Sequence, residues 1–85
     1  MISFEHTIKN PVGFHAKPAR ELTELLKTMD LKVHICTKEK CVDASKLIRV
    51  ISLGLVSGTT FTVQIEGKDE EKYLDQLRDF FAKNV

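Results

Sequence analysis

The chain has 85 residues, a hydrophobic fraction of 42% and a formal net charge of +1 at pH 7. A chain of this length buries about two-thirds of its unfolded surface, which is enough for one hydrophobic core, so we expect a single domain over residues 1–85. The near-neutral charge gives no support for a nucleic-acid or membrane partner. No segment approaches the roughly 20 apolar residues that cross a bilayer, and no secretory leader is recognisable, so we expect a cytoplasmic location.

The first quarter of the chain predicts a strand followed by a helix. Apolar or aromatic side chains at every second position from 2 to 8 are typical of a half-buried strand, which Asn10-Pro11 then ends. From Ala16 onward apolar residues recur at helical spacing, with charged residues opposite. This pattern predicts an amphipathic helix to about residue 28, with Pro18 in a first turn that does not need its missing N–H.

The middle of the chain predicts a hairpin. Residues 31–36 alternate apolar and polar side chains, and a short strand returns at 40–43. Lys38-Glu39 is a poor two-residue turn between them, because neither residue favours a positive φ.

The second half adds a helix, a strand and a helix. Residues 44–53 have the length of a two-turn helix, with Gly54 at the position of a left-handed C-terminal residue. Residues 59–67 alternate as a last strand, and Asp69 is a candidate N-cap for a final amphipathic helix. The order β-α-β-β-α-β-α predicts an α+β fold with a four-stranded, mainly antiparallel sheet covered on one face by three helices.

The two cysteines, Cys36 and Cys41, do not form a CxxC pair, and in a reducing compartment we interpret them as free thiols. With a two-residue turn they would face each other across the hairpin, so a redox-sensitive pair is the alternative. The histidines and cysteines lack the close paired spacings of zinc sites, so we expect no metal.

The segment NPVGFHAKPA places His15 at the start of the first helix. The first N–H groups of a helix have no intrahelical partner and, with the helix dipole, stabilise an anion. A histidine is substantially neutral and nucleophilic near pH 7, so His15 could accept a phosphoryl group. The new charge would meet the amides of Ala16 and Lys17 and the side chains of Lys17 and Arg20. Alternatively, His15 only caps the helix or bonds the preceding loop, and the spacing leaves both interpretations open.

The short second helix carries more apolar residues than one side of it can bury, namely Leu47, Ile48, Val50 and Ile51. Either some of them are exposed as a docking surface, with Arg49 at its rim, or the helix is wholly buried.

With these features the chain resembles HPr, the histidine-containing phosphocarrier family of the bacterial phosphoenolpyruvate-dependent sugar phosphotransferase system. GFHAKPA is similar to the family's active-site segment G-[IL]-H-[AT]-R-P-A. SLGLVSGT resembles the stretch after the family's second helix, and EGKDEEK the entry to its last helix. The resemblance extends over essentially all 85 residues and implies an open-faced β-sandwich.

The resemblance also implies a role for individual residues. His15 matches the histidine that enzyme I phosphorylates on Nδ1 and that passes the group to sugar-specific IIA domains. Leu47, Ile48 and Ile51 match the apolar patch that docks both partners, and Lys27 and Arg49 match basic rim positions that suit acidic partners. Such a protein is a monomeric, stoichiometric carrier without a cofactor, and Mg²⁺ is required only by enzyme I. Some members also bind metabolic or transcriptional regulators.

Several positions depart from the family pattern. Lys17 replaces the arginine beside the active histidine and lacks its planar fork, which Arg20, one turn further along, could supply instead. Lys46 stands where many Gram-positive members carry a regulatory serine, and we interpret the neighbouring Ser45 as an N-cap. Glu24 is acidic where basic residues are common. The alternative functions are therefore a regulatory binding module whose histidine is seldom phosphorylated, or a small ligand-sensing domain.

Overall fold

Strands and helices follow one another in the predicted order in the computed structural model, which describes residues 1–85. The elements are β1 (Ile2–Thr7), α1 (Ala16–Leu26), β2 (Leu31–Cys36), β3 (Cys41–Asp43), α2 (Leu47–Ser52), β4 (Thr60–Gly67) and α3 (Glu70–Asn84). Helix α1 ends at Leu26, two residues before the predicted end, because the N–H groups of the next residues bond three residues back instead of four. None of the helices is long and apolar enough to span a membrane.

The four strands form one sheet in the order β1-β4-β2-β3, and every neighbouring pair is antiparallel. The alternation in β1 is confirmed: its odd positions are exposed, while Ile2, Phe4 and His6 point toward the helices. Their partners on β4 are Ile65, Val63 and Phe61. The helices cover this face and leave the other face open, so the predicted α+β open-faced sandwich is confirmed.

The hydrophobic core lies between the sheet and the helices. Helix α1 contributes Pro18, Ala19, Leu22 and Leu26 from one side, as its helical spacing predicts. Aromatic rings fill the end of the core nearest His15. The ring of Phe14 lies 5.9 Å from those of Phe61 and Phe81, measured between centroids. Phe14 is therefore fixed in the core immediately before the candidate site.

The hairpin turn at Lys38-Glu39 forms although neither residue adopts a positive φ. Thr37 compensates: its N–H donates to the carbonyl of Lys40 at 2.8 Å, and its hydroxyl accepts the N–H groups of Glu39 and Lys40. The side chain therefore closes a turn whose backbone residues are poorly suited to it.

The prediction of two free thiols is wrong for this structure, because Cys36 and Cys41 form a disulfide bond. The two residues are direct partners in the β2–β3 register, with Cα atoms 4.0 Å apart. This spacing belongs to a pair that exchanges no backbone hydrogen bonds, in which the side chains approach closely. The register therefore brings the sulfur atoms together.

The N-cap assignments need one correction. Ser45 does not cap α2: the cap position is Lys46, and the Ser45 hydroxyl donates to Asp43 Oδ1 at 2.7 Å. Asp43 also accepts the Ser45 N–H at 2.9 Å, so this carboxylate competes successfully for the serine. Asp69 does occupy the cap position of α3, but its side chain makes no capping bond. Gly54 is left-handed after α2, as predicted.

Candidate functional site

His15 is the N-cap residue of α1, with extended backbone angles of φ −95° and ψ −172°. Its side chain is half-buried and makes no capping hydrogen bond, so the alternative in which the ring caps the helix is wrong. Only the backbone carbonyl takes part in the helix, accepting the N–H of Ala19 at 3.1 Å. The imidazole is therefore free for other chemistry.

The first turn of α1 offers two free amide donors. The N–H groups of Ala16 and Lys17 have no backbone acceptor, Pro18 has no N–H, and that of Ala19 is bonded to His15. No acidic side chain lies in this turn. An anion at His15 would therefore meet two amides and the positive end of the helix dipole.

Two cations lie along the same side of α1. Lys17 and Arg20 are exposed and border one shallow depression, whose lining is Ala16, Lys17, Arg20, Glu21 and Glu24. Neither cation forms an ion pair within the chain. The structure thus brings the three predicted phosphate-binding residues together and leaves the charges of Lys17 and Arg20 available.

The loop before His15 is fixed by a close approach to the segment after α2. Gly13 adopts φ +84°, a conformation that favours glycine, and packs on the backbone of Leu55 and Val56. The next residue, Phe14, donates its N–H to the Leu55 carbonyl at 3.0 Å and is only 3% exposed. His15 therefore stands between a buried aromatic anchor and a helix.

Asn10 holds the other end of this loop. Its side-chain Oδ1 accepts the N–H of Val12 at 2.9 Å, and its carbonyl accepts the N–H of Gly13 at 2.9 Å. Its Nδ2 donates to the Asn84 carbonyl at 3.3 Å, and its N–H donates to the Val85 carbonyl at 2.9 Å. One side chain thus links the site loop to the end of α3. The two residues are 74 positions apart, and no local pattern predicts their contact.

An exposed apolar surface lies beside this loop. On α2, Ile48 is 75% exposed and Ile51 36%, Leu47 is half-buried, and Val50 is buried. The prediction of a partly exposed helix is therefore confirmed, and the wholly buried alternative is wrong. Val12 and Val56, which the sequence analysis missed, are 70% and 63% exposed. We call Val12, Leu47, Ile48, Ile51 and Val56 the apolar patch.

One signal could have identified the two valines. Each is a β-branched apolar residue in a loop, next to a turn residue. Neither belongs to a strand or helix pattern that would predict its burial. Their membership of one surface could not be foreseen, because the approach of Gly13 to Leu55 and Val56 brings the two loops together.

The predicted rim cations lie at different places. Arg49 is exposed on α2, the helix that carries three residues of the apolar patch, and Lys27 is the exposed C-cap residue of α1. Twelve residues of helical rise place Lys27 about 18 Å along the axis from His15. Lys27 therefore lies at the far end of α1 and not at the anion site.

The other two histidines lie elsewhere. His6 packs against Phe61 and Phe81, and burial, assisted by the charge of Lys9, lowers its pKa below 6.5 despite an opposing contribution from the Val85 backbone. Its Nε2 is buried without a hydrogen-bond partner.

His34 lies on the open face of the sheet opposite Asp43. The pKa of Asp43 is lowered chiefly by the hydrogen bond from the Ser45 hydroxyl. No group of three or more His, Cys, Asp or Glu side chains is arranged to hold a metal ion.

A free histidine at a helix N-terminus, on a small antiparallel α+β sandwich, is an arrangement that suits a small phosphoryl-carrying domain. The family model described as "PTS HPr component phosphorylation site" matches residues 2–83. The phosphocarrier protein HPr of Lysinibacillus sphaericus is 30% identical over 73 residues, which are 86% of this chain and 83% of that protein. The chain therefore belongs to the HPr family, the phosphocarrier proteins of the phosphotransferase system.

Two further similarities agree with this assignment. The crystal structure of an HPr from Thermoanaerobacter tengcongensis superposes with a TM-score of 0.88 at 28% identity, covering 98% of this chain and 93% of that one. A multiphosphoryl transfer protein of Xanthomonas campestris is 33% identical over 75 residues, which are 88% of this chain but 9% of that protein.

Proposed function

We propose that His15 is the residue that carries the phosphoryl group. Phospho-enzyme I is the donor: a bond forms between His15 Nδ1 and phosphorus while the bond between phosphorus and enzyme I breaks. A IIA domain then takes the group from His15 in the same way. The observation that supports this role is the free imidazole beside the two free amides of Ala16 and Lys17, with Lys17 and Arg20 unpaired.

This site suits a carrier because its hold on phosphate is weak. Two amides and two exposed, flexible side chains stabilise the charge without enclosing it, so release to an acceptor needs no large rearrangement. No cofactor is required at His15, and Mg²⁺ serves enzyme I alone. The protein acts as a stoichiometric carrier and not as an enzyme on a free substrate.

The apolar patch is the surface on which enzyme I and the IIA domains dock. It lies beside the His15 loop through the contact of Gly13 with Leu55 and Val56, so a protein bound there faces the imidazole. Arg49 and Lys27 favour acidic partners and speed encounter. Similarity to a segment of a multiphosphoryl transfer protein supports exchange of phosphoryl groups with other domains.

The test is phosphorylation by the enzyme I of the same organism with phosphoenolpyruvate and Mg²⁺, followed by intact-mass spectrometry. We expect one acid-labile phosphoryl group, absent in His15→Ala and retained in His34→Ala, the matched control on the open face. Phosphorylation of His15→Ala to the wild-type level would refute the assignment of His15.

A second candidate is a regulatory binding module, favoured by Lys17 in place of the family's arginine together with a fully formed apolar patch. In that case the patch would bind a regulator while enzyme I transferred no phosphoryl group to His15. The phosphorylation experiment separates the two functions, because a binding module stays unphosphorylated. Such a module would still lose binding of its regulator when Ile48 is changed.

The remaining expectations are a monomer consisting of one domain over residues 1–85 in the cytoplasm, without serine phosphorylation at Ser45. Light scattering tests the monomer. Incubation with the serine kinase that acts on Gram-positive members tests Ser45, and we expect no phosphoserine because the position of the regulatory serine is occupied by Lys46.

A further inference from the structure

The disulfide-bonded pair Cys36–Cys41 lies on the open face of the sheet, which no helix covers. Cys41 is exposed on β3, an edge strand, whereas Cys36 is 8% exposed on β2. We propose that this pair is a thiol–disulfide exchange site that a protein dithiol reduces reversibly, with the sulfur of Cys41 as the point of attack.

The fold holds the two cysteines opposite each other without the bond. Their neighbours Ile35 and Val42 are paired in the register and buried in the core. On the other side, Thr37 closes the turn through backbone and hydroxyl bonds to Lys40. Reduction therefore leaves both thiols in place, and oxidation needs no search for a partner.

The bond also adds little constraint to the unfolded chain. The cysteines are five residues apart, and the entropic stabilisation by a disulfide grows with the length of the loop that it closes. The short loop therefore makes the stability of the folded state depend less on this bond than on one that closes a long loop, as suits a reversible site.

Accessibility and charge identify the sulfur of Cys41 as the one that the reductant attacks. A thiolate of the reductant must reach the sulfur along the S–S axis, and the exposed residue on an edge strand offers that approach. The turn beside it contains Lys38, Glu39 and Lys40, and this net positive charge favours an incoming thiolate. An edge strand also presents unpaired backbone groups to a protein partner.

The exchange has two steps. The first thiolate of the dithiol bonds to Cys41 Sγ, the Cys36–Cys41 bond breaks, and Cys36 leaves as a thiolate that takes up a proton. In this mixed disulfide, the second thiolate of the reductant then attacks the sulfur that the reductant contributed. The Cys41 thiolate is released and is protonated in turn. The pair gains two electrons, and the reductant is oxidised to its disulfide.

The first experiment equilibrates the folded protein with mixtures of reduced and oxidised dithiothreitol, traps free thiols by acid and alkylation, and counts them by mass. We expect complete, reversible conversion between zero and two thiols while the amide NMR spectrum stays that of a folded protein. Reduction only in denaturant would overturn the proposal, as would failure of the folded dithiol to reform the bond.

The second experiment compares the accessibility and reactivity of the two sulfurs with single variants. We expect the Cys41 thiol of Cys36→Ser to react with an aromatic disulfide reagent at least about tenfold faster than the Cys36 thiol of Cys41→Ser. Equal or reversed rates would overturn the assignment of Cys41. Circular dichroism of both variants and of the double variant Cys36→Ser/Cys41→Ser verifies that each is folded.

Discussion

Gly13 and Leu55 approach so closely that a Cβ atom on Gly13 would lie 2.5 Å from the Leu55 carbonyl oxygen. Real Cβ atoms do not come this near to a backbone oxygen, so the two loops can meet only where residue 13 has no side chain. The same carbonyl accepts the Phe14 N–H. One glycine thus determines both the position of His15 and the continuity of the apolar patch.

Gly13→Ala should therefore be severely destabilising. The backbone strain and the clash together should cost at least about 2–3 kcal/mol of the free energy of unfolding. Gly58→Ala is the matched control, because Gly58 has φ +89° but open space around its Cβ position. We expect it to cost about 1 kcal/mol, the strain alone. Urea denaturation measures the free energy of unfolding of both variants. Equal losses of stability in the two would contradict a role for the Leu55 contact.

Asn10→Ala should slow phosphorylation of His15 and lower stability, because it removes the bonds to the Val12 N–H and the Asn84 carbonyl. Each is worth about 1 kcal/mol. Asn10→Asp keeps the acceptor for Val12 and should retain most of the rate. The comparison of kcat and KM with enzyme I as the catalyst distinguishes a misplaced His15 from weakened docking. An unchanged kcat in Asn10→Ala would show that the loop does not need this side chain.

Arg20→Ala should slow phosphoryl transfer about tenfold, since a charge-assisted hydrogen bond to phosphate is lost where Lys17 offers no planar fork. Lys17→Arg should raise the rate and reduce the effect of the Arg20 substitution. Lys27→Ala, which removes a cation from the far end of α1, is the control for a general loss of charge. Rapid-quench measurement of transfer from phospho-enzyme I gives the rates, and equal effects at positions 20 and 27 would exclude a local role for Arg20.

Ile48→Asp should weaken binding of enzyme I by about 10- to 100-fold, because a charge replaces an exposed apolar side chain of the apolar patch, the proposed docking surface. Folding should be unaffected, since Ile48 is 75% exposed. Ala82→Asp introduces the same charge at an exposed position of α3 outside the patch and should leave binding intact. Calorimetry measures both affinities, and a comparable loss in the two variants would indicate a nonspecific charge effect.

Acidification should destabilise the protein through His6. Since the folded state lowers the pKa of His6, the unfolded chain binds its proton more readily, so this contribution to stability is present above pH 6.5 and is lost as the pH falls toward the folded value. His6→Phe keeps an aromatic ring beside Phe61 and Phe81 and removes the unpartnered Nε2. It should flatten the plot of unfolding free energy against pH between about pH 8 and 5. A slope unchanged in His6→Phe would assign the pH dependence to another group.

Local patterns were sufficient to predict the order of the elements. They also singled out His15 and the apolar excess of α2, but left two interpretations open for each. Alternation at 2–8 and helical spacing after Ala16 indicate directly which side of an element is buried. The apolar excess on α2 indicates that some of its apolar side chains stay exposed. The lengths of short elements were less certain, as the early end of α1 shows, because ends depend on competing backbone bonds.

Long-range relationships could not be predicted in this way. Val12 and Val56 share a surface because of a contact between residues more than 40 positions apart, and Asn10 bonds to the last residues of the chain. Ser45 was misassigned because the carboxylate of Asp43, two residues away, accepts its hydroxyl. The cysteine pairing depended on the register of the hairpin, which a poor turn sequence left open and the hydroxyl of Thr37 fixes.

Ion pairs within the chain are few. Only two are formed, between the Met1 amino group and Glu70 and between Lys83 and Asp79, and neither involves a cation of α1 or α2. The charges of Lys17, Arg20, Lys27 and Arg49 are therefore available to other molecules. Added salt should slow the association of this protein with its partners, because it screens these exposed charges. The stability of the protein itself should stay almost unchanged, since these charges form no ion pair in the folded chain.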